Sequence, residues 1–246
     1  MKFLLRLLLF LILIGSLAGF AVFEQPLAVA RLIPSLPSIE RMPLNSEAAK
    51  MLRKGADRLL VPTGEYVQID AMPLSLRQAV VSIEDERFYQ HGGLDFRGIA
   101  RAVVDNLMSQ NFVEGGSTIT QQLARNLFLD PEQTMQRKMT EAFLSLQLED
   151  YYKNKNKILE LYLNTIYYGR NAWGIASAAN TYFGIDDVST LNVSQAAFLA
   201  GLPQSPSYYG ANITAAKNRQ KMVIDKMKEL GYLADNYVIQ PLQLKP

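Results

Sequence analysis

The sequence predicts a mainly α-helical domain that follows a single N-terminal transmembrane helix. Apolar residues recur three and four positions apart through most of the chain, while few segments alternate apolar and polar residues as half-buried β-strands do. An uncharged apolar run stands near the amino terminus. A length of 246 residues with 49% hydrophobic content is enough for one well-packed domain and excludes a disordered chain.

The apolar run from Leu7 to Phe23 carries no charge and follows Lys2 and Arg6. As a helix it would measure ~25 Å, the short end of a membrane span. The positive charges before it predict a cytoplasmic amino terminus, with the remaining chain on the outer side. Ala28–Ala30 has the small-x-small pattern of a signal-peptidase site, so a cleaved signal peptide is the alternative. That pattern lies late relative to the run, which favours a retained anchor over residues 1–25.

The segment that follows, residues 26–64, is predicted to be a juxtamembrane linker because prolines recur in it. A short helix is expected around Ala48–Arg58, and Tyr66–Ile69 could form a brief strand. The main domain is expected over residues 65–210.

Helical periodicity predicts which residues of that domain are buried. A last amphipathic helix is expected from about Ala215 to Leu230, ending before Gly231, within a C-terminal helix and tail over residues 211–246. Three earlier stripes of apolar residues are predicted to face the core: Ile99, Val103, Val104, Leu107 and Met108; Met135, Met139, Phe143 and Leu146; and Leu159, Tyr162, Leu163 and Ile166.

Composition excludes several functional classes. A formal net charge of +2 is too small to indicate a nucleic-acid partner, so any anion must be met by a local cluster. The absence of cysteine excludes disulfides, thiolate catalysis and thiolate zinc sites. His91 is the only histidine, and it lacks companion ligands at metal-binding spacing.

Acidic and aromatic residues from Glu84 to Gly93 follow an apolar helix face that includes Val80 and Ile83. A carboxylate at the end of such a helix can lie in a low-dielectric cleft, where its pKa rises toward the range useful to a general base. Glu84 fits this description best. The alternative is an ordinary solvated helix end, because runs of charged residues are usually exposed.

The segment Glu114–Gln122 places two glycines before hydroxyl and amide side chains at a predicted helix start. Thr118 and Gln121 have capping-box spacing, so a flexible turn and a well-capped helix would explain it. The same backbone N–H groups, together with Ser117, would also form a seat for phosphate oxygens. Arg125, farther along the helix, could add a positive charge. The segment lacks the Lys-Ser/Thr ending of a nucleotide-binding P-loop.

The third cluster lies in a helix that is expected to open with Asp130 as its cap and Pro131 at its first position. Arg137 and Lys138 stand four and three residues before Glu141, a spacing that lets both cations meet the carboxylate. An exposed ion pair without a function is the alternative.

In this order, the three clusters resemble the motifs of family 51 glycosyltransferases, the peptidoglycan polymerases found alone or as the first domain of class A penicillin-binding proteins. EDERFYQHGG matches EDxxFxxHxG, GGSTITQQ matches GxSTxTQQ, and RKMTE matches RKxxE. Two further segments complete the order: KILELYLNTIYYG from Lys157 to Gly169, and AANTYFG with LAGLPQSPSYY between Ala178 and Tyr209.

The resemblance implies a lysozyme-like helical fold and the substrate lipid II, a disaccharide-pentapeptide on undecaprenyl pyrophosphate. Glu84 would deprotonate the 4-hydroxyl of the acceptor sugar, which attacks the donor anomeric carbon with inversion. Glu141 would be a second essential carboxylate that either binds a divalent cation, Mg²⁺ or Mn²⁺, or orients the basic residues around the leaving pyrophosphate. Substrate-binding positions implied by the family are Asp85, Phe88, His91, Arg101, Gly116, Ser117, Thr118, Gln121, Gln122, Arg125, Arg137, Lys138 and Asn164.

The resemblance also implies a place and partners for the chain. Residues 65–210 would form a glycosyltransferase domain outside the bacterial cytoplasmic membrane, in contact with lipid II, the growing glycan strand and the cell-wall synthesis machinery. The stretch after Tyr209 is too short for a transpeptidase domain, so the chain as given is expected to be monofunctional.

Two other functional classes are the alternatives. A muramidase or lytic transglycosylase would use Glu84 as an acid to cleave glycan, but it would have no pyrophosphate for the second and third clusters to neutralise. A noncatalytic anchored scaffold is the third interpretation, and the presence of both Glu84 and Glu141 argues against it.

Overall fold

Within the part of the chain that the structure describes, five α-helices begin after a hydroxyl or amide side chain that caps them. The computed structural model describes residues 65–101, 116–129 and 134–245. In each capped helix the side-chain oxygen accepts a hydrogen bond from the backbone N–H three residues on, which satisfies one of the free donors of the first turn. The capping residues are Thr118, Thr134, Asn154, Asn192 and Asn212.

Three short 3-10 helices lie among the α-helices of the described ranges, at Ile69–Ala71, Phe88–Gln90 and Val188–Thr190. The α-helices are α1 (Leu74–Glu84), α2 (96–101, at the edge of a described range), α3 (Ile119–Phe128), α4 (Met135–Tyr152), α5 (Lys155–Thr165), α6 (Ile175–Phe183), α7 (Val193–Gly201), α8 (Pro206–Ala211) and α9 (Ile213–Glu229).

Two groups of three helices build most of the core. Helices α1, α7 and α9 pack against one another, and α3, α4 and α5 form the second group. Helix α5 also contacts α6 and the 3-10 helix Ile69–Ala71. Within the described residues the domain contains no strand, only an isolated bridge between Tyr167 and Trp173. The prediction of a mainly helical domain is therefore confirmed.

The predicted core stripe of α5 is confirmed, whereas that of α4 is wrong. Leu146 is 46% exposed, and α4 instead turns Glu141, Leu144, Ser145 and Leu148 inward. These four positions are three or four residues apart, so their spacing is as typical of one helix face as that of the predicted stripe. A charge among them argued against burial in the sequence, but neighbouring cations compensate that charge in the fold.

The predicted stripes lie only partly within the described residues. Ile99 is half-buried, while the rest of its stripe, residues 103–108, lies outside the described ranges. The helix expected at Ala48–Arg58 and the predicted anchor at residues 1–25 also lie outside them. No α-helix within the described ranges has both the length and the apolar character needed to cross a bilayer.

The strand predicted at Tyr66–Ile69 does not form. The N–H of Val67 donates to Oδ1 of Asn164 at 2.9 Å, and its carbonyl accepts from Nδ2 of the same side chain at 2.8 Å. The amide of Asn164 thus satisfies both backbone groups that a neighbouring strand would otherwise pair. The chain then turns into the 3-10 helix Ile69–Ala71.

The start of α4 also differs from the prediction. Thr134 has extended backbone angles (φ −112°, ψ 155°) and caps the helix through Arg137 N at 3.1 Å. The helix therefore begins at Met135 with Thr134 as its cap. Asp130 and Pro131 themselves lie outside the described residues.

The C-terminal helix agrees with its prediction. Helix α9 spans Ile213–Glu229 and ends before Gly231, which adopts a positive φ of 73°. The tail that follows returns to the domain, because Gln240 N donates to Ser194 Oγ and Lys245 N donates to Tyr182 O, each at 2.8 Å.

Candidate active site

Glu84 is the last residue of α1, and one described residue donates a hydrogen bond to its carboxylate. Nε2 of Gln122 on α3 donates to Oε2 at 2.7 Å. Oε1 is shielded from solvent and accepts no hydrogen bond from any described residue. A buried carboxylate oxygen that receives no hydrogen bond makes the ionised form of the carboxyl energetically unfavourable.

The surroundings of Glu84 raise the pKa of its carboxyl above the ordinary value. Burial is the dominant cause, and the hydrogen bond from Gln122 opposes it. The positive charges of Arg219 on α9 and Arg125 on α3 also lower this pKa, without cancelling the effect of burial. A carboxyl with a raised pKa is suited to accept a proton near neutral pH.

Gln122 is itself oriented by a tyrosine. The hydroxyl of Tyr162 on α5 donates to Oε1 of Gln122 at 3.0 Å, and the tyrosine side chain is fully buried. A continuous series of hydrogen bonds therefore runs from Tyr162 through Gln122 to Glu84. The sequence pattern predicted Tyr162 only as a core residue.

Asp85 and His91 connect the Glu84 segment to the start of α3. Asp85 Oδ1 lies 2.7 Å from His91 Nε2, and Asp85 Oδ2 accepts a hydrogen bond from Ile119 N at 3.1 Å. An anion at a helix N-terminus is favourable because free N–H groups point toward it. Burial alone would lower the pKa of His91, but the Asp85 carboxylate raises it overall.

Thr118 and Gly93 bring the first two clusters against α4. The Thr118 hydroxyl donates to Gly93 O at 2.7 Å, while Thr118 and Gln121 form the predicted capping box. A Cβ at Gly93 would lie 2.5 Å from the backbone carbon of Ser145, so only glycine allows this approach. The capping-box prediction is confirmed, and the cap is also part of the contact between clusters.

The third cluster surrounds Glu141, which is fully buried. Its Oε2 accepts from Arg137 Nη1 at 3.2 Å, and its Oε1 accepts from Lys138 Nζ. The same Lys138 nitrogen donates to Ser117 Oγ at 2.7 Å, which joins the second cluster to the third. Nε of Arg137 is buried and has no partner among the described residues. Among the described residues, this hydrogen-bond donor is unused.

The residues around Glu141 do not fit a metal site. Both oxygens of this carboxylate already accept hydrogen bonds from cations, which would repel a divalent ion. Of the two roles implied by the family, the contacts favour that of holding Arg137 and Lys138 in place.

Elsewhere in the described part of the chain, only Asp85, His91 and Asp95 place possible metal-ligand atoms close together, within 4.8 Å. Both oxygens of Asp85 are engaged as described above, and Asp95 pairs with Arg87 at 2.6 Å. These contacts stabilise the loop after α1 without a metal ion.

Several predicted substrate-binding residues lie away from Glu84 or point inward. Arg101 is 54% exposed and pairs with Glu86 at 2.7 Å. Phe88 is fully buried beneath Lys155, whose Nζ lies 4.4 Å from the ring centre. Asn164 is fully buried and uses its amide on backbone groups. Their roles toward substrate stay predictions.

Arg219 is a site residue that the sequence pattern did not indicate. It lies on α9, far along the chain from Glu84, and its Nε is buried without a partner among the described residues. Its side chain passes over Gly201 on α7, where a Cβ would lie 2.8 Å from Arg219 Cγ. In the sequence, Arg219 is one of several basic residues on the last predicted helix. Nothing in the pattern distinguishes it from a lysine or arginine that is exposed to solvent.

Comparisons with known proteins support one family. A family profile described as Transglycosylase matches residues 56–228. Penicillin-binding protein 1A of Neisseria lactamica is 42% identical over 224 residues, covering 88% of this chain and 28% of that protein. Penicillin-binding protein 1A/1B of Bacillus subtilis is 38% identical over 235 residues, covering 93% of this chain and 25% of that protein.

Among solved structures, the crystal structure of penicillin-binding protein 1A from Haemophilus influenzae matches 52% of this chain and 16% of that chain, with 26% identity and a TM-score of 0.34. The chain spans about a quarter of the length of the curated relatives it matches. Because the family profile covers well over half of the sequence, the chain belongs to the transglycosylase family, that of the family 51 glycosyltransferases.

Proposed function

We propose that this chain is a peptidoglycan glycosyltransferase that polymerises lipid II into glycan strands and releases undecaprenyl pyrophosphate. The observation that carries the proposal is the buried, unpartnered Oε1 of Glu84 at the end of α1. Transfer to a neutral sugar hydroxyl needs a base, and a carboxyl whose pKa is raised by burial can serve as one. The family and the names of the relatives agree with this activity.

In the proposed reaction, Oε1 of Glu84 takes the proton from the 4-hydroxyl of the acceptor sugar. The hydroxyl oxygen attacks the anomeric carbon of the donor from the face opposite its pyrophosphate. The new glycosidic bond forms as the carbon–oxygen bond to pyrophosphate breaks, so the configuration inverts. The electron pair of the broken bond leaves with the lipid pyrophosphate, and the proton is later released from Glu84.

The cations around Glu141 are suited to the leaving group. Arg137 and Lys138 together exceed the charge of Glu141 by one unit, and Ser117 adds a hydroxyl beside them. The unused buried donor of Arg137 is available for a phosphate oxygen. Donors that are already fixed before charge develops stabilise a departing anion strongly, because no reorganisation is needed during the reaction.

Helix α3 links the two ends of the proposed site. Ser117 stands just before the helix and contacts Lys138, while Gln122 in its first turn contacts Glu84. The capping box fixes the start of this helix. A single rigid element therefore sets the distance between the base and the phosphate-binding cations.

The proposal extends to the place and organisation of the protein. Residues 1–25 would anchor the chain in the bacterial cytoplasmic membrane with its amino terminus inside, residues 26–64 would link the anchor to the domain, and the helical domain would be lysozyme-like. Lipid II, the growing strand and the cell-wall synthesis machinery would be its partners. A divalent cation, Mg²⁺ or Mn²⁺, would offset phosphate charge when bound, but the residues around Glu141 do not fit as its ligands.

Polymerisation of labelled lipid II by the purified chain in detergent, with Mg²⁺ or Mn²⁺ present, tests the proposal. We expect glycan polymer from the unmodified protein and a loss of about 10²–10⁴-fold in Glu84→Gln, because the amide cannot accept the proton. Glu229→Gln is the control for loss of a carboxylate, because Glu229 lies on α9, pairs with Lys226 at 2.7 Å and is 65% exposed.

The alternatives give different results in the same assay. Polymer at an undiminished rate from Glu84→Gln would remove Glu84 as the base. Digestion of preformed glycan without polymerisation would show a muramidase or lytic transglycosylase, and binding without either reaction would show a scaffold.

A further inference from the structure

Gln122 has two ends that differ in hydrogen bonding, and its environment selects one orientation. An ionised carboxylate can only accept hydrogen bonds, so the end of Gln122 that faces Glu84 must be the amide nitrogen. The opposite end must then be the carbonyl oxygen, which needs a donor. The Tyr162 hydroxyl at 3.0 Å supplies it. Without that donor, nothing on this side would favour one orientation of the amide over the other.

Tyr162 is well placed to act as a fixed donor. It is fully buried on α5, which packs directly against α3, the helix of Gln122. Within the described chain its hydroxyl bonds to Gln122 alone. Burial restricts its rotation, so the hydroxyl is held at one place relative to Gln122.

We infer that Tyr162 is a positioning residue of the active site. It fixes the amide of Gln122, which holds Oε2 of Glu84 and leaves Oε1 as the proton-accepting atom. This inference rests on the proposed function and deepens it, because it separates the two oxygens of the base by role. Tyr162 itself touches neither substrate nor the reacting atoms.

Charged groups other than the Tyr162–Gln122 pair also influence the pKa of Glu84. Arg219 approaches from α9 and Arg125 from α3, while Asp85 follows Glu84 directly. Two buried tyrosines, Tyr162 and Tyr168, also lie within electrostatic reach of the carboxylate. Helix α7, which packs on α1, carries no titratable residue. Of these groups, Tyr162 is the one that hydrogen-bonds to the Gln122 side chain within the described residues. A change at its hydroxyl therefore leaves the other charges in place.

Tyr162→Phe removes only the hydroxyl. In polymerisation of lipid II we expect kcat to fall about tenfold with KM within about twofold, because the lost bond orients the base rather than binding substrate. We also expect the acid limb of the pH profile of kcat/KM to move to higher pH. A loosened Gln122 stabilises ionised Glu84 less well, which raises the pKa of this carboxyl.

Tyr182→Phe is the matched control. Tyr182 is equally buried, and its hydroxyl donates to Tyr168 O at 2.8 Å, away from Gln122. Loss of its hydroxyl should affect thermal stability without moving the acid limb. The inference is overturned if Tyr162→Phe behaves like Tyr182→Phe, with a lower Tm and an unmoved limb.

A double-mutant cycle tests whether Tyr162 acts through Gln122. Gln122→Met removes the amide while keeping a side chain of similar length. In this background Tyr162→Phe should produce no further loss of kcat, because the connecting residue is already absent. Fully additive losses would contradict action through Gln122.

A measurement without substrate separates this inference from the proposed function. The infrared carboxyl band that disappears in Glu84→Gln reports the titration of Glu84 directly. If its midpoint rises in Tyr162→Phe, the positioning role stands even where the unmodified chain makes no polymer. If the chain polymerises lipid II and the midpoint does not move, the inference fails while the proposed function stands.

Discussion

Glu84 and Glu141 both hold carboxylate oxygens away from solvent, but they differ in the number and charge of the groups that donate hydrogen bonds to them. Glu84 receives one hydrogen bond from a neutral amide and keeps Oε1 without a described partner. Glu141 receives Arg137 on one oxygen and Lys138 on the other. One carboxylate is left under-satisfied, and the other is fully compensated.

The difference separates a reactive group from a supporting one. A buried carboxylate with few donors is held in a high-energy ionised state, so it gains by accepting a proton. A buried carboxylate that accepts hydrogen bonds from two cations holds those cations in place. The same residue type therefore has two roles beside the start of α3: the proposed proton transfer at Glu84, and the proposed contact with the leaving phosphate through the cations around Glu141.

Glu141→Gln should produce the largest loss of stability. It leaves Arg137 and Lys138, which are 17% and 35% exposed, without their counter-charge, and the loss of these two charged hydrogen bonds costs about 2 kcal/mol, or roughly 4–8 °C in Tm for a domain of this size. Thermal unfolding followed by circular dichroism measures this loss. Polymerisation should also fall, because the two cations lose their fixed positions.

Glu149→Gln on the same helix is the control for that change. Glu149 accepts hydrogen bonds from Lys155 and Thr120, but its side chain is 15% exposed, whereas that of Glu141 is 0% exposed. We expect a smaller loss of Tm and normal polymerisation. Equal losses in the two variants would show that burial of the ion pair does not distinguish Glu141.

Glu84→Gln should affect stability in the opposite direction, and only above acidic pH. The folded-state pKa of Glu84 is raised, so the folded protein binds this proton more tightly than the unfolded chain does. Ionisation therefore costs stability as the pH rises from the unfolded value of 4.5 through the folded pKa. The Tm of Glu84→Gln minus that of the unmodified protein should be near zero in acid and grow with pH. A difference that shrinks with rising pH would show that Glu84 is compensated in the same manner as Glu141.

Local signals in the sequence were sufficient for much of the fold. Thr118 and Gln121 form the predicted capping box, and α9 ends before Gly231 as expected. The inward face of α4 was not predictable in this way, because apolar residues follow two overlapping registers and the correct one includes Glu141. Only the positions of Arg137 and Lys138 in the fold make that register favourable.

The site was predictable to the extent that its residues lie close together in the sequence. Arg137, Lys138 and Glu141 share one helix, so their spacing was enough to predict the ion pairs. Tyr162 and Arg219 reach the Glu84 carboxylate from other helices, α5 and α9. Their positions in the sequence do not predict that they lie near Glu84, because this proximity depends on how the helices pack.

His91→Gln tests a third buried carboxylate, Asp85, and should have the smallest effect. The glutamine amide can still donate to Asp85 but carries no charge, so the variant removes only the ionic part of the contact. The pKa of His91 is raised above 6.5 in the fold, so this part is present below pH 6.5 and is lost as the pH rises through the folded value. The loss of Tm relative to the unmodified protein should therefore be largest below pH 6.5 and vanish in alkaline buffer. A loss independent of pH would mean that the ring holds Asp85 by shape and hydrogen bonding alone, as Gln122 holds Glu84.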